Sequence, residues 1–193
     1  KTFGLGGRDI TEANRICNSW TGTFEDVCGD FVPLGTTPLT DASLGDRAGG
    51  AVSVVQRVAS DSSTAYAATS TGRVFVSRNV DAEPASAVTW TRIDNATTPT
   101  RFVTSIHIDP ADPARAWVSY SGFSSNTPAT TGHAFEVRVA ATGATWTDRS
   151  YNFGDQPITD LVRDDVTGDL YASTDFGVLR LARNGTTWAK AAT

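Results

Sequence analysis

The chain repeats itself. Tyr66, Trp117 and Tyr171 each open a short run of small residues, and each is followed downstream by a Thr-Trp pair, at Thr89-Trp90, Thr145-Trp146 and Thr187-Trp188. The anchors stand 117 − 66 = 51 and 171 − 117 = 54 residues apart. Recurrence at this period, with several short strands in each unit, is the signature of propellers and solenoids. A chain so built is an array of small sheets.

Within a unit the strands read from period-two alternation and turn residues. Ile158–Val162, Leu170–Ser173, Val178–Leu181 and Thr187–Lys190 are four short strands. They are separated by an Asp/Gly-rich turn at 164–169, by Gly177 and by Asn184-Gly185, as an antiparallel meander requires. The preceding unit predicts strands over Val103–Ile108, Ala116–Tyr120, Ala134–Val139 and Thr145–Thr147, with a long polar connection at 121–132. The unit before it predicts strands over Val52–Val58, Ala65–Ala68, Val74–Val76 and from Val88 to Trp90, with further alternation over Thr91–Ile93. In the N-terminal stretch, Phe3 to Gly7 resembles the end of a second strand, and Asp30 to Leu34 sits where the other units carry Trp and an outer strand.

The expected organisation is an all-β propeller segment of about three and a half four-stranded antiparallel blades. A partial first blade spans 1–50, followed by blades at 51–101, 102–155 and 156–193. Propellers close with about 4–8 blades, and open sheets leave edges that proteins hide. The partner expected first is therefore the remainder of a ring, from the same precursor, another chain or a symmetry mate.

Composition narrows the function classes. A net charge of −5, with no basic run, argues against nucleic acid and anionic membrane surfaces. No apolar run approaches the roughly 20 residues of a membrane-spanning helix, so membrane insertion is not expected. Cys17 and Cys28, the two cysteines of the 193 residues, bracket a loop-like interval that suits a local disulfide in a secreted or cell-surface protein. Lys1 and the absence of Met fit a processed product.

At the Thr-Trp segments the chain resembles the Asp-box, or bacterial neuraminidase repeat, β-propellers, a group that includes sialidases, xyloglucan-cleaving hydrolases and sortilin-type domains. Leu181-Ala-Arg-Asn-Gly-Thr-Thr-Trp188 and Val139-Ala-Ala-Thr-Gly-Ala-Thr-Trp146 keep the Gly, Thr and Trp of that turn and lack its Ser and Asp. The resemblance implies four-stranded blades. It implies no reaction, because such turns occur in enzymes and binding proteins alike.

No catalytic set stands out. Arg57, Arg101, Arg163 and Arg180 match no sialidase motif, and charges on strands mostly serve solvation and structure. Two carboxylates across a cleft would suffice for glycoside hydrolysis, yet nothing in the sequence opposes Asp160, Asp164 or Asp175 to one another or to Asp9 or Asp30. Asp164, Asp165 and Asp169 around Gly168 read as turn chemistry rather than a calcium loop. His107 alternates with Ile106 and Ile108 and reads as a blade-to-blade or channel residue. No metal or cofactor follows, and Asn95 and Asn184 fit the N-glycosylation pattern.

Binding candidates lie where loops depart from the repeat. They are Phe123 and Asn126 in the long connection, His133 at its end, and Trp20 inside the cysteine interval. Trp90, Trp146 and Trp188 are expected between blades, where large aromatics contribute contact area. The expected role is a noncatalytic, exported propeller segment that binds protein or glycan or assembles a larger extracellular protein. A fragment of a polysaccharide glycoside hydrolase using paired carboxylates is the alternative.

Overall fold

A computed structural model describes residues 33–192. They form three four-stranded antiparallel sheets, each a meander in chain order, so the segment is three blades of a β-propeller. Sheet I contains β1 (Val52–Arg57), β2 (Ala65–Thr69), β3 (Val74–Ser77) and β4 (Thr91–Arg92). Sheet II contains β5 (Val103–Ile108), β6 (Arg115–Tyr120), β7 (Ala134–Val139) and β8 (Ala144–Asp148). Sheet III contains β9 (Ile158–Arg163), β10 (Leu170–Thr174), β11 (Gly177–Leu181) and β12 (Trp188–Ala192). Cys17, Cys28 and Trp20 lie outside the described residues.

The turns form for local reasons. Asp61 accepts the Ser63 amide and the Ser63 and Thr64 hydroxyls, which hold its carboxyl down to about 2. Asp164 serves the third sheet alike, accepting from the Val166 and Thr167 amides and the Thr167 hydroxyl. Asp169 is tied to Arg180 and to the Arg183 amide, as turn chemistry requires.

The outer strand of sheet I departs from expectation, because β4 begins only after Trp90. Asn79 captures the Thr89 amide and hydroxyl at 3.0 and 3.1 Å, and a 3-10 turn spans Ala85–Ala87. The backbone groups that would extend the ladder are already committed.

The sheets stack through two cores. Sheets I and II meet through a mixed aliphatic and aromatic cluster that includes Val58, Tyr66, Val74, Val76 and Ile93 on one side and Val103, Ile106, Val118, Tyr120, Phe135 and Val137 on the other. Sheets II and III meet through Trp117 and Ala134 against Ile158, Leu161, Leu170, Leu181 and Trp188. The other face of sheet I is covered by residues 34–49, which contribute Leu34, Leu39 and Leu44. That segment folds around Arg73, whose guanidinium is fully buried and donates to the carbonyls of Leu39, Asp41, Gly45 and Asp46.

The three repeat tryptophans act as one device. Trp90, Trp146 and Trp188 donate their indole N–H groups to the carbonyls of Leu34, Ile93 and Arg149, at 3.0, 2.7 and 2.8 Å. Ile93 and Arg149 each stand three residues after the Trp of the preceding unit, and Leu34 stands three after Phe31. Sheets II and III thus each pin the outer edge of the sheet before them, and Trp90 pins the segment that covers sheet I.

Candidate functional site

Antiparallel order sends the connections to two ends. The end where β1, β5 and β9 begin carries residues 70–73, 93–102, 121–133, 149–157 and 175–176. It also carries Phe102, Phe123, Tyr151 and Phe176, exposed by 47, 51, 42 and 77 %. The other exposed large apolar side chains among the described residues are aliphatic and lie elsewhere: Val162 within β9 and Val166 in the opposite turn. Aromatics that folding leaves in water on one end of the molecule are a binding signature.

The long connection is fixed from beneath. Arg101 donates to the carbonyl of Gly122 at 2.8 Å and to that of Gly132, tying both ends of the loop together. Asp155, from the connection into sheet III, accepts the Ser124 amide at 2.6 Å and His133 Nε2 at 3.1 Å. The Ser124 amide is the leading cause that holds the Asp155 carboxyl below its ordinary value. Gly132 admits no side chain, since a Cβ there would stand 2.5 Å from Phe135 Cζ and 2.6 Å from Asp148 Oδ2.

Of the sequence-chosen binding residues, Phe123 and Asn126 are exposed, at the two ends of the 3-10 turn Ser124–Asn126. His133 is buried beneath the loop, with 1 % of its surface exposed. Its amide donates to Ser150 Oγ, its carbonyl accepts from the Tyr120 amide, and Nδ1 faces Arg101 at 3.4 Å. Burial first, then Arg101, lowers its proton affinity. The neutral ring accepts at Nδ1 and donates from Nε2 to Asp155.

Phe102, Tyr151 and Phe176 were not singled out by sequence. Tyr151 carried a signal only the backbone shows: it sits at φ 43°, a left-handed conformation that a bulky side chain adopts at a cost of about 1–2 kcal/mol. Its hydroxyl accepts from Arg149 at 2.8 Å.

The arginines weighed for a carboxylate cluster are dispersed. Arg57 binds the Ser62 carbonyl in its own hairpin, Arg101 is under the loop, Arg163 lies over Trp117, and Arg180 pairs with Asp169. His107 reaches Asp165 of sheet III at 3.1 Å, which makes it a blade-to-blade contact. A cleft of about 20 Å³, room for a single water, lies between sheets II and III. Its lining includes Arg115, Trp117, Glu136, Arg149, Arg163 and Arg183. Glu136 is buried in it; burial works to raise its proton affinity, and hydrogen bonds from Arg115 and Arg149 outweigh that and lower it.

No family model matches the chain, and no curated protein matches it. Among solved structures it is similar to YCF48 bound to a D1 peptide, at 10% identity and a TM-score of 0.43, over 74% of this chain and 40% of that one. It is also similar to a gluconolactonase from Xanthomonas campestris, at 14% identity and a TM-score of 0.33, over 68% of this chain and 48% of that one. The chain spans less than half the length of either structure.

Proposed function

We propose that the protein is a noncatalytic, exported β-propeller segment that uses its loop end to bind a protein or glycan ligand. The observation that carries this reading is the placement of Phe102, Phe123, Tyr151 and Phe176 in water at one end of the stacked sheets. Folding gains nothing from leaving these rings in water, whereas a ligand covering any of them recovers its burial energy. The pinning of 121–133 by Arg101 and Asp155 lowers the entropy lost on binding, because the loop is already ordered. The degenerate Gly-Thr-Trp turns support kinship with Asp-box propellers, and the cysteine pair supports export.

The test is a glycan and peptide array on the intact gene product, run beside a polysaccharide hydrolysis screen. Saturable binding without turnover is expected, weakened about tenfold or more by Phe123→Ala or Tyr151→Ala, as befits central interface aromatics. Turnover that disappears in Asp→Asn variants would replace this reading with the glycoside hydrolase. Binding indifferent to all four aromatics would place the site elsewhere.

A further inference from the structure

The loop end is charged as well as aromatic, and its two signs are placed differently. Its arginines turn inward. Arg73 and Arg101 are buried and spend their N–H groups on backbone carbonyls, Arg47 and Arg92 hold Asp94, and Arg149 holds Glu136. The most exposed of the five, Arg149, has 30 % of its side chain in water. Lys190, the one lysine among the described residues, sits mid-strand in β12.

Carboxylates, by contrast, face water beside the rings. Asp155, its side chain 43 % exposed, accepts the amide of Ser124, the residue after Phe123. Asp148 is exposed and accepts the amide of Ser150, the residue before Tyr151, at 2.7 Å. Asp175 is exposed next to Phe176, in the turn between β10 and β11. Among the described residues no arginine or lysine pairs with any of the three, and His133 donates to Asp155 as a neutral ring.

We infer that the ligand of the loop end is a basic polypeptide segment, whose lysine or arginine side chains lay their stems on Phe123, Tyr151 and Phe176 and bring their cationic heads to Asp155, Asp148 and Asp175. This rests on the loop-end reading above and names its ligand. A long basic side chain carries both parts in one group: methylenes that cover a ring, and a cation that the ring face and a carboxylate both attract. A neutral glycan fits less well. Its hydroxyls must donate and accept, whereas these carboxylates only accept and the arginine donors of this end are already spent. An acidic glycan or peptide meets like charge. Because the loop is tied down, Phe123 and Asp155 stand together before the ligand arrives.

The experiment measures binding of the intact gene product to three synthetic peptides of one backbone, carrying Lys, Gln or Glu at alternate positions, and to a panel of neutral and acidic glycans. The Lys peptide is expected to bind about tenfold or more tighter than the Gln peptide, and to weaken as salt rises. Phe123→Ala is expected to weaken it about tenfold. The double variant Asp148→Asn/Asp175→Asn is expected to weaken it about fivefold, and asparagine still accepts the Ser150 amide, so the turn is kept. Asp112→Asn, which removes a charge at the opposite end, is expected to leave affinity within about twofold. Binding that depends on the aromatics but prefers a glycan, or is equal for the Lys and Gln peptides, overturns the inference and leaves the loop-end reading standing. Lys-peptide binding that Phe123→Ala leaves unchanged, or that Asp112→Asn weakens as much as the double variant does, is unspecific attraction to a chain of net charge −5 and overturns it as well. Binding by no probe overturns both.

Discussion

The two blade junctions use one repeat position for opposite chemistry. Between sheets I and II, Tyr66 sits in an apolar cluster and makes a hydrogen bond to a backbone carbonyl. Between sheets II and III, Trp117 lies under two guanidiniums, Arg115 at 4.5 Å and Arg163 at 4.8 Å from its ring centre. Around it are the His107–Asp165 contact, the Arg163–Asp165 pair and Glu136 held by Arg115 and Arg149 at 2.8 and 2.5 Å. Stacking blades needs an aromatic there, and its surroundings are free to vary. One junction draws on burial and a few hydrogen bonds to backbone carbonyls, while the other adds charges that respond to salt and pH.

That contrast breaks most directly at Trp117. Trp117→Ala removes the ring both guanidiniums cover and opens a cavity, so a loss of about 3–5 kcal/mol is expected in urea unfolding. A loss under about 1 kcal/mol would mean the junction is held by its ion pairs, against the usual weight of such pairs. The next largest effect is expected from Glu136→Gln, which removes the carboxylate that Arg115 and Arg149 share and leaves Arg115 only Asp109 at 3.5 Å. Because both arginines are partly exposed, the cost should be about 2 kcal/mol, below that of a fully buried pair. The Glu136 carboxyl is held below its ordinary 4.5, so its contribution is complete above pH 4.5 and is lost as pH falls through the lowered value. Urea midpoints measured down that range should fall less in Glu136→Gln than in the parent.

The strands were legible because period two and turn residues say the same thing: Val103–Ile108 and Ala134–Val139 fall where alternation puts them. The fourth strand of sheet I was misplaced because Asn79, ten residues upstream, takes the Thr89 amide out of the ladder. Side-chain capture across a loop leaves no periodic trace. Arg73 and Arg101 were unreadable for a related reason: a lone arginine beside a strand looks like a solvated charge, and only tertiary structure surrounds it with carbonyls. His133 was chosen for ending the long loop, yet it stands one residue before β7, where the chain has already entered the core. The exposure of Phe123 and Asn126, at the two ends of the 3-10 turn in that loop, was legible because insertions in one repeat project outward.

The loop end sharpens the comparison further, since it hangs on the polar junction. His133 has its proton affinity lowered in the fold, so the unfolded chain binds protons more readily, and stability falls as pH drops below the ordinary 6.5. Protonation at Nδ1 would set a second donor against Arg101, and no other group in contact accepts it: Asp155 already takes Nε2. The protection factors of the amides across 121–133, corrected for the intrinsic exchange rate, should therefore fall on acidification from pH 7 to 5, before those of sheets I and II. His133→Gln should remove the pH dependence of that opening, and retention of it would show that His133 is not its source.

The smallest expected effect tests the dry junction. Tyr66→Phe keeps the ring in its apolar surroundings and removes one hydrogen bond to the Pro113 carbonyl, so it should cost about 1 kcal/mol. Burial raises the Tyr66 hydroxyl to about 12, which leaves it protonated across the physiological range. The cost should then be the same at pH 5 and pH 8 and insensitive to salt, unlike that of Glu136→Gln. A Tyr66→Phe penalty that shrank in 1 M salt would mean that Arg78 and Asp112, whose charges act on this hydroxyl, hold the junction together, and that both junctions are electrostatic.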